Sequence, residues 1–77
     1  MLTIYSDNNF FTLTQADAIR LQKVFNLSDK GREWLEIGDV LHEYTTGAYN
    51  GNLTLEPRKF NFIYNLLCEY IYLSISK

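Results

Sequence analysis

The chain has 77 residues, a net charge of −2 and an aromatic content of 16%, and it contains a single cysteine, Cys68. A chain of this length buries a little over ~60% of its unfolded surface, so we expect residues 1–77 to form one compact domain with an aromatic core. The charge balance argues against a dedicated duplex-binding protein, which usually carries a basic stripe, and a lone cysteine excludes an internal disulfide.

The N-terminal residues predict a β-hairpin. Residues 2–5 are rich in β-branched side chains and alternate in character, and residues 10–13 resume extended character after a turn-forming Ser-Asp-Asn-Asn at 6–9. A competing interpretation is an irregular N-terminal arm whose aromatic side chains pack on the helices.

A first helix is predicted from about 15 to 25. Thr14 suits the N-cap, and Asp17 follows it three residues later in a capping-box arrangement. The helix is expected to end at Asn26 and Leu27, which leaves only a short connection before the next helical pattern.

Residues 28–45 predict one central amphipathic helix with Ser28 as its N-cap. The apolar side that we expect in the core consists of Trp34, Ile37, Leu41 and Tyr44. Gly31 and Gly38 are unfavourable inside a helix by about 1 kcal/mol each, so we expect them where another element approaches closely; a hinge is the alternative.

The same predicted helix carries acidic residues at spacings of four, three, three and four, which would place them on one face. They are Asp29, Glu33, Glu36, Asp39 and Glu43. This acidic stripe is either a solvated face that keeps the protein soluble or a surface that docks on a basic groove of another protein. A cation site is disfavoured, because one helix surface splays oxygen ligands that a metal needs to converge.

The segment after the central helix predicts a loop. Gly47 suits the position just past the helix end, Asn50 and Gly51 predict a turn, and residues 53–55 have extended character.

A last helix is predicted over about 57–72, with Pro57 in its first turn. Its expected inner face consists of Phe60, Ile63, Tyr64, Leu67, Tyr70 and Ile71. A second apolar stripe, available to a partner or a second copy, consists of Phe62, Leu66 and Leu73. Residues 70–76 also alternate with period two, so a strand pairing with 2–5 is the alternative to helix at this end.

No pattern in the sequence predicts catalysis. His42 has no second histidine or thiol at a useful spacing, and Cys68 has no evident base beside it, so both are interpreted as structural or surface residues. We therefore expect no enzyme, no metal and no cofactor. The most apolar segment, 60–73, is interrupted by polar residues, so we expect a soluble, cytoplasmic protein without a membrane span.

The sequence thus predicts a mainly helical α+β fold, with an N-terminal β-hairpin followed by three α-helices. The favoured function is a small non-enzymatic protein-binding module. By analogy with phage proteins that block host defence (anti-CRISPR or anti-restriction proteins), it would be an inhibitor or modulator whose acidic helix docks on a basic, nucleic-acid-handling surface. Direct binding of nucleic acid is not expected. One alternative is a small helix-turn-helix regulator formed by residues 14–44, a homodimer through the second apolar stripe. The other is an oligomeric structural or assembly subunit held together by the same stripe.

Overall fold

The computed structural model describes residues 1–49 and 51–72 and confirms a mainly helical α+β fold with an N-terminal hairpin. In chain order its elements are β1 (Leu2–Ser6), β2 (Asn9–Leu13), α1 (Gln15–Leu27), α2 (Lys30–Glu33), α3 (Leu35–Thr45), β3 (Asn52–Thr54), α4 (Pro57–Leu67) and a π-helical turn (Cys68–Tyr72). The predicted turn at Asn50 and the end of the apolar stripe at Leu73 lie outside the described residues.

The hairpin forms as predicted. β1 and β2 pair antiparallel from Leu2 opposite Leu13 to Ser6 opposite Asn9, across a turn in which Asp7 has a φ of 51°. Aspartate tolerates this left-handed backbone better than most residues. Alternation then divides the hairpin into two faces: Leu2, Ile4, Phe11 and Leu13 are buried against the helices.

A third strand completes the sheet, in the order β2-β1-β3. β3 runs parallel to β1, with Ile4 opposite Leu53. The amide of Thr3 donates to the carbonyl of Gly51 at 3.0 Å, and the carbonyl of Tyr5 accepts from the amide of Leu55 at 2.8 Å. The alternative strand at 70–76 is wrong for residues 70–72, which belong to the π-helical turn; residues 73–76 lie outside the described part.

α1 begins as predicted and ends two residues later than predicted. The hydroxyl of Thr14 accepts from the amide of Asp17 at 3.1 Å, which satisfies one of the free amides of the first turn. The side chains of Ala18, Leu21 and Phe25 are fully buried, so this helix supplies one wall of the core.

The prediction of a single central helix over 28–45 is wrong. The helix breaks at Trp34, whose φ of −102° and ψ of 64° are not helical, and the short α2 and the longer α3 lie on either side. The break allows the indole to pack edge-on against Phe62, with ring centroids 5.4 Å apart. The predicted N-cap is one residue off, because Ser28 is the C-cap of α1 and Asp29 is the N-cap of α2. The Oγ of Ser28 nevertheless accepts from the amide of Gly31 at 3.2 Å.

The predicted apolar face of the central segment is confirmed, since Trp34, Ile37, Leu41 and Tyr44 are all buried. The phenol of Tyr44 donates to the carbonyl of Leu13 at 2.9 Å, which fixes α3 to the end of β2. Gly47 has a φ of 86° just past α3 and donates to the carbonyl of Tyr44, as predicted for a helix-ending glycine.

α4 and the π-helical turn after it bury four of the six predicted inner-face residues: Phe60, Ile63, Leu67 and Ile71. Tyr64 and Tyr70 are 44% and 57% exposed, so the prediction is wrong for both. Tyr70 lies in the π-helical turn, where wider winding rotates residues away from the α-helical phase. Leu66 takes a place in the core instead, with only 9% of its surface exposed.

Candidate functional site

Three of the five predicted acidic residues share one face of α3. Glu36, Asp39 and Glu43 are all exposed, and their spacing places them within about 60° of the helix circumference. The opposite side of the same helix is held in the core by Ile37, Leu41 and Tyr44. The structure therefore presents this acidic face on a rigid support.

The other two acids lie beyond the break at Trp34. Asp29 precedes α2 and Glu33 is its last residue, and both are exposed. Because Asp29 precedes α2, Glu33 ends it and the other three lie on α3, the five carboxylates do not form the continuous single-helix stripe that the sequence predicted.

Ion pairs neutralise part of this charge. Lys30 contacts Glu33 and Lys59 contacts Glu36, each with N–O distances of 2.9 Å, and Lys59 also lies 3.8 Å from Glu56. Within the described part of the chain, Asp39 and Glu43 form no ion pair. The uncompensated negative charge of α3 is therefore concentrated at these two residues.

The two lysines are themselves held in place by Trp34. Their ammonium nitrogens lie 5.1 Å (Lys30) and 5.6 Å (Lys59) from the centroid of the indole ring. Cation–π contacts of this kind contribute about 0.5–1 kcal/mol at exposed sites. Lys59 thus links α4 to the acidic face of α3 through Glu36 and Trp34.

The ammonium of Lys59 donates to the carboxylate of Glu36, and this bond, with a backbone hydrogen bond, lowers the pKa of Glu36 below its ordinary value of 4.5. Replacing Lys59 with methionine is expected to raise the pKa of Glu36 toward the ordinary value, as measured by carboxyl carbon NMR titration. Lys30→Met is the matched control, since Lys30 pairs with Glu33. An unchanged pKa in Lys59→Met would contradict the pairing.

The sign of the pH dependence follows from the direction of that shift. The pKa of Glu36 is lower in the folded state, so the stability that the pair contributes is present above the ordinary value of 4.5. It is lost as the pH falls through the folded-state pKa, because protonation removes the charge that Lys59 stabilises. The carboxylate of Glu36 is exposed to solvent, which screens the pair, so the contribution is small.

The second predicted partner surface is largely used inside the chain. Phe62 is half-buried and packs edge-on against Trp34 and Phe25, with centroid distances of 5.4 and 6.4 Å, and Leu66 is buried. Leu73 lies outside the described residues. Phe62 and Leu66 therefore do not form an exposed apolar stripe.

Sequence reasoning missed an aromatic surface beside the hairpin. Tyr5 and Phe10 are neighbours on the outer face of the sheet, with centroids 5.9 Å apart, and Phe10 is 64% exposed. A cavity of about 340 Å³ lies beside β2, lined by Asn9, Phe10, Phe60, Asn61 and Tyr64. Alternation along the predicted strands could have indicated this pair. Tyr5 follows the buried Ile4 in β1 and Phe10 precedes the buried Phe11 in β2, so both point to the outer face.

Among the described residues, neither His42 nor Cys68 is hydrogen-bonded to an acidic or basic side chain. His42 Nδ1 lies 3.3 Å from Gln22 Nε2 at the surface, and Cys68 is half-buried. In residues 1–49 and 51–72, no three metal-binding side chains converge on one point. Nor does any helix there have the length and apolar character that crossing a membrane requires.

No protein family, no curated protein and no solved structure matches the chain.

Proposed function

We propose that the protein is a small protein-binding module, and that the acidic face of α3 docks on a basic surface of a larger protein. The observation that supports this proposal most directly is the pair Asp39 and Glu43, exposed side by side on α3 without an intramolecular ion pair in the described chain. Complementary charge accelerates encounter with a basic partner and disfavours acidic ones.

The support beneath these carboxylates favours binding over simple solvation. Ile37 and Leu41 are fully buried, and Tyr44 is hydrogen-bonded to the hairpin, so α3 is fixed before any partner arrives. A helix that already has its bound geometry loses less conformational entropy on binding than a flexible one. A larger part of the electrostatic attraction therefore contributes to the binding free energy.

The expected target is a protein that handles nucleic acid, because such proteins carry the basic grooves that an array of carboxylates would occupy in place of phosphates. An inhibitor of this kind blocks nucleic acid by competition and needs no catalytic group. Inhibition of a host defence nuclease, in the manner of anti-CRISPR or anti-restriction proteins, is the form of this proposal that the analogy with phage proteins favours.

The main alternative, a helix-turn-helix regulator, has less support. In that arrangement α3 would enter the major groove, yet its exposed face carries Glu36, Asp39 and Glu43, which phosphates would repel. A mobility-shift titration with salt distinguishes the two, since a regulator binds DNA with a steep salt dependence and the acidic module does not bind it.

Reversing the charge of Asp39 and Glu43 together, with lysine at both positions, is expected to abolish partner capture while the fold persists. Tagged protein would be exposed to lysate of the encoding organism's host at low and high salt, with nuclease present. The wild-type chain should retain one basic protein at low salt and lose it at high salt. Glu36 is left unchanged, because its loss would also release Lys59.

The matched control reverses Asp29 and Glu69, two other exposed acids, which gives the same change in net charge. This control should capture the partner as the wild-type chain does. Equal capture by the α3 variant, or equal loss in both variants, would contradict a specific role of the α3 face.

A further inference from the structure

We propose that β2 pairs with β2 of a second copy of this chain, about a twofold axis, to form a six-stranded sheet. The sheet order β2-β1-β3 leaves β2 at an edge of the sheet that the described residues form. β2 carries none of the acidic residues of α3, so this pairing does not depend on the proposed function.

The pairing register shows which backbone groups point outward from that edge. Ser6 and Asn9 flank a two-residue turn and form a hydrogen-bonded pair. In an antiparallel ladder, hydrogen-bonded and non-hydrogen-bonded pairs alternate. In the pairs Tyr5–Phe10 and Thr3–Thr12 the backbone groups therefore point away from the partner strand. On the β1 side this is observed directly, because Thr3 and Tyr5 bond toward the β3 side.

By the same alternation, the amides and carbonyls of Phe10 and Thr12 point outward from β2. Outside the β1–β2 ladder, which these four groups face away from, the described residues provide no hydrogen-bond partner for them. A row of free amides and carbonyls at a sheet edge is bound best by the backbone of another extended strand.

Nothing in the sequence of β2 protects this edge. Asn9–Leu13, Asn-Phe-Phe-Thr-Leu, contains no charge and no proline, which are the usual devices that prevent edge pairing. Two identical neutral strands can therefore approach each other without like-charge repulsion.

The positions of the free groups favour a second copy as the occupant. If the antiparallel pairing is centred on Phe11, Phe10 of each copy lies opposite Thr12 of the other, and all the free groups of both strands bond to each other. If the pairing were centred on Phe10, Thr12 would lie opposite the turn residue Asn8. If it were centred on Thr12, Phe10 would lie opposite the cap residue Thr14. Only the Phe11-centred register satisfies the whole edge.

The same register brings aromatic surface together on the inner face. Phe11 packs with Phe60 and Tyr64 at centroid distances of 5.0 and 5.8 Å. Directly opposed residues in a non-bonded antiparallel pair have Cβ atoms about 4.5–5.5 Å apart. The two Phe11 rings would therefore meet on the axis, and the half-exposed Tyr64 of each copy would lie at the rim of the interface.

Thr12→Pro tests the interface because proline lacks the amide that the pairing needs. That amide points away from β1, so the substitution removes no bond of the hairpin and is of the kind that edge strands tolerate. In sedimentation velocity over a micromolar-to-millimolar series, the wild-type chain is expected to reach twice the monomer mass, and Thr12→Pro to stay at the monomer mass. Thr12→Val, which retains the amide, should still dimerise.

A second variant and a second readout protect the test against misfolding. Phe10→Lys changes an exposed side chain and places two positive charges in the interface, so it should also be monomeric with unchanged circular dichroism. In the wild-type dimer, amide exchange at Phe10 and Thr12 should slow with concentration while Phe11 stays protected throughout. A wild-type monomer at every concentration, or a dimer that survives both substitutions, would overturn the proposal, as would pairing of this edge only with a strand of another protein.

Discussion

Replacing Gly31 with alanine is expected to destabilise the protein by about 3 kcal/mol, the upper part of the range for introducing an atom into filled space. A β-carbon at this position would lie 2.3 Å from the carbonyl oxygen of Phe25 and 3.1 Å from the Cα of Asn26. Both are backbone atoms of α1, so no side chain can rotate to relieve the contact. The amide of Gly31 also donates to the carbonyl and the hydroxyl of Ser28, and an outward shift of α2 would weaken these bonds.

The same substitution at Gly38 is the matched control, and the opposite sign is expected. A β-carbon there would lie 3.7 Å from a ring carbon of Phe25 and 3.8 Å from the side-chain oxygen of Asn26, which are ordinary contacts. Because glycine weakens a helix interior, Gly38→Ala should stabilise the protein by about 0.5–1 kcal/mol. Chemical denaturation of both variants measures the two effects; similar changes in both would contradict the packing of α2 on α1.

Truncating Phe25 to alanine is expected to destabilise the protein by about 3–5 kcal/mol, because the ring is completely buried and its removal leaves a cavity. The ring packs edge-on against Phe62, and one of its carbons lies 3.7 Å from the position that a β-carbon would take at Gly38. A domain of 77 residues has a total stability of about 4–12 kcal/mol, so a loss of this size removes at least about a quarter of it and should lower the denaturation midpoint strongly.

Leu27→Ala provides the control for this truncation on the same helix. Its side chain is 89% exposed, so stability should change by less than about 0.5 kcal/mol. Thermal denaturation followed by circular dichroism, together with the near-ultraviolet signal of the aromatic core, measures both variants. A folded Phe25→Ala chain with wild-type stability would contradict the central position of this ring.

Local patterns predicted the features that depend on neighbouring residues. The cap at Thr14, the helix end at Gly47 and the hairpin around Asp7 each need only a few adjacent positions, and all three are present. The apolar face of the central segment was equally accessible, because periodicity selects residues that a core can bury.

Contacts between distant residues account for what the sequence did not indicate. The break at Trp34 accommodates its packing on Phe62 of α4, and the pairing of β3 with β1 joins residues that are far apart in the sequence. A distant contact also changes the charge of the candidate site. Lys59, which is 23 residues after Glu36 in the sequence, neutralises its carboxylate. Periodicity along one segment contains no information about such partners.

The parallel pairing of β1 with β3 also affects the order in which the chain folds. Ile4 lies opposite Leu53, so most of the chain separates the two strands, and closing that loop loses conformational entropy before the strands gain their bonds. We expect the hairpin and the contacts between α1 and α3 to form first and the sheet to be completed last. During synthesis, β1 therefore has an unpaired edge until Asn52–Thr54 emerges, and a nascent chain is most prone to aggregate in that interval.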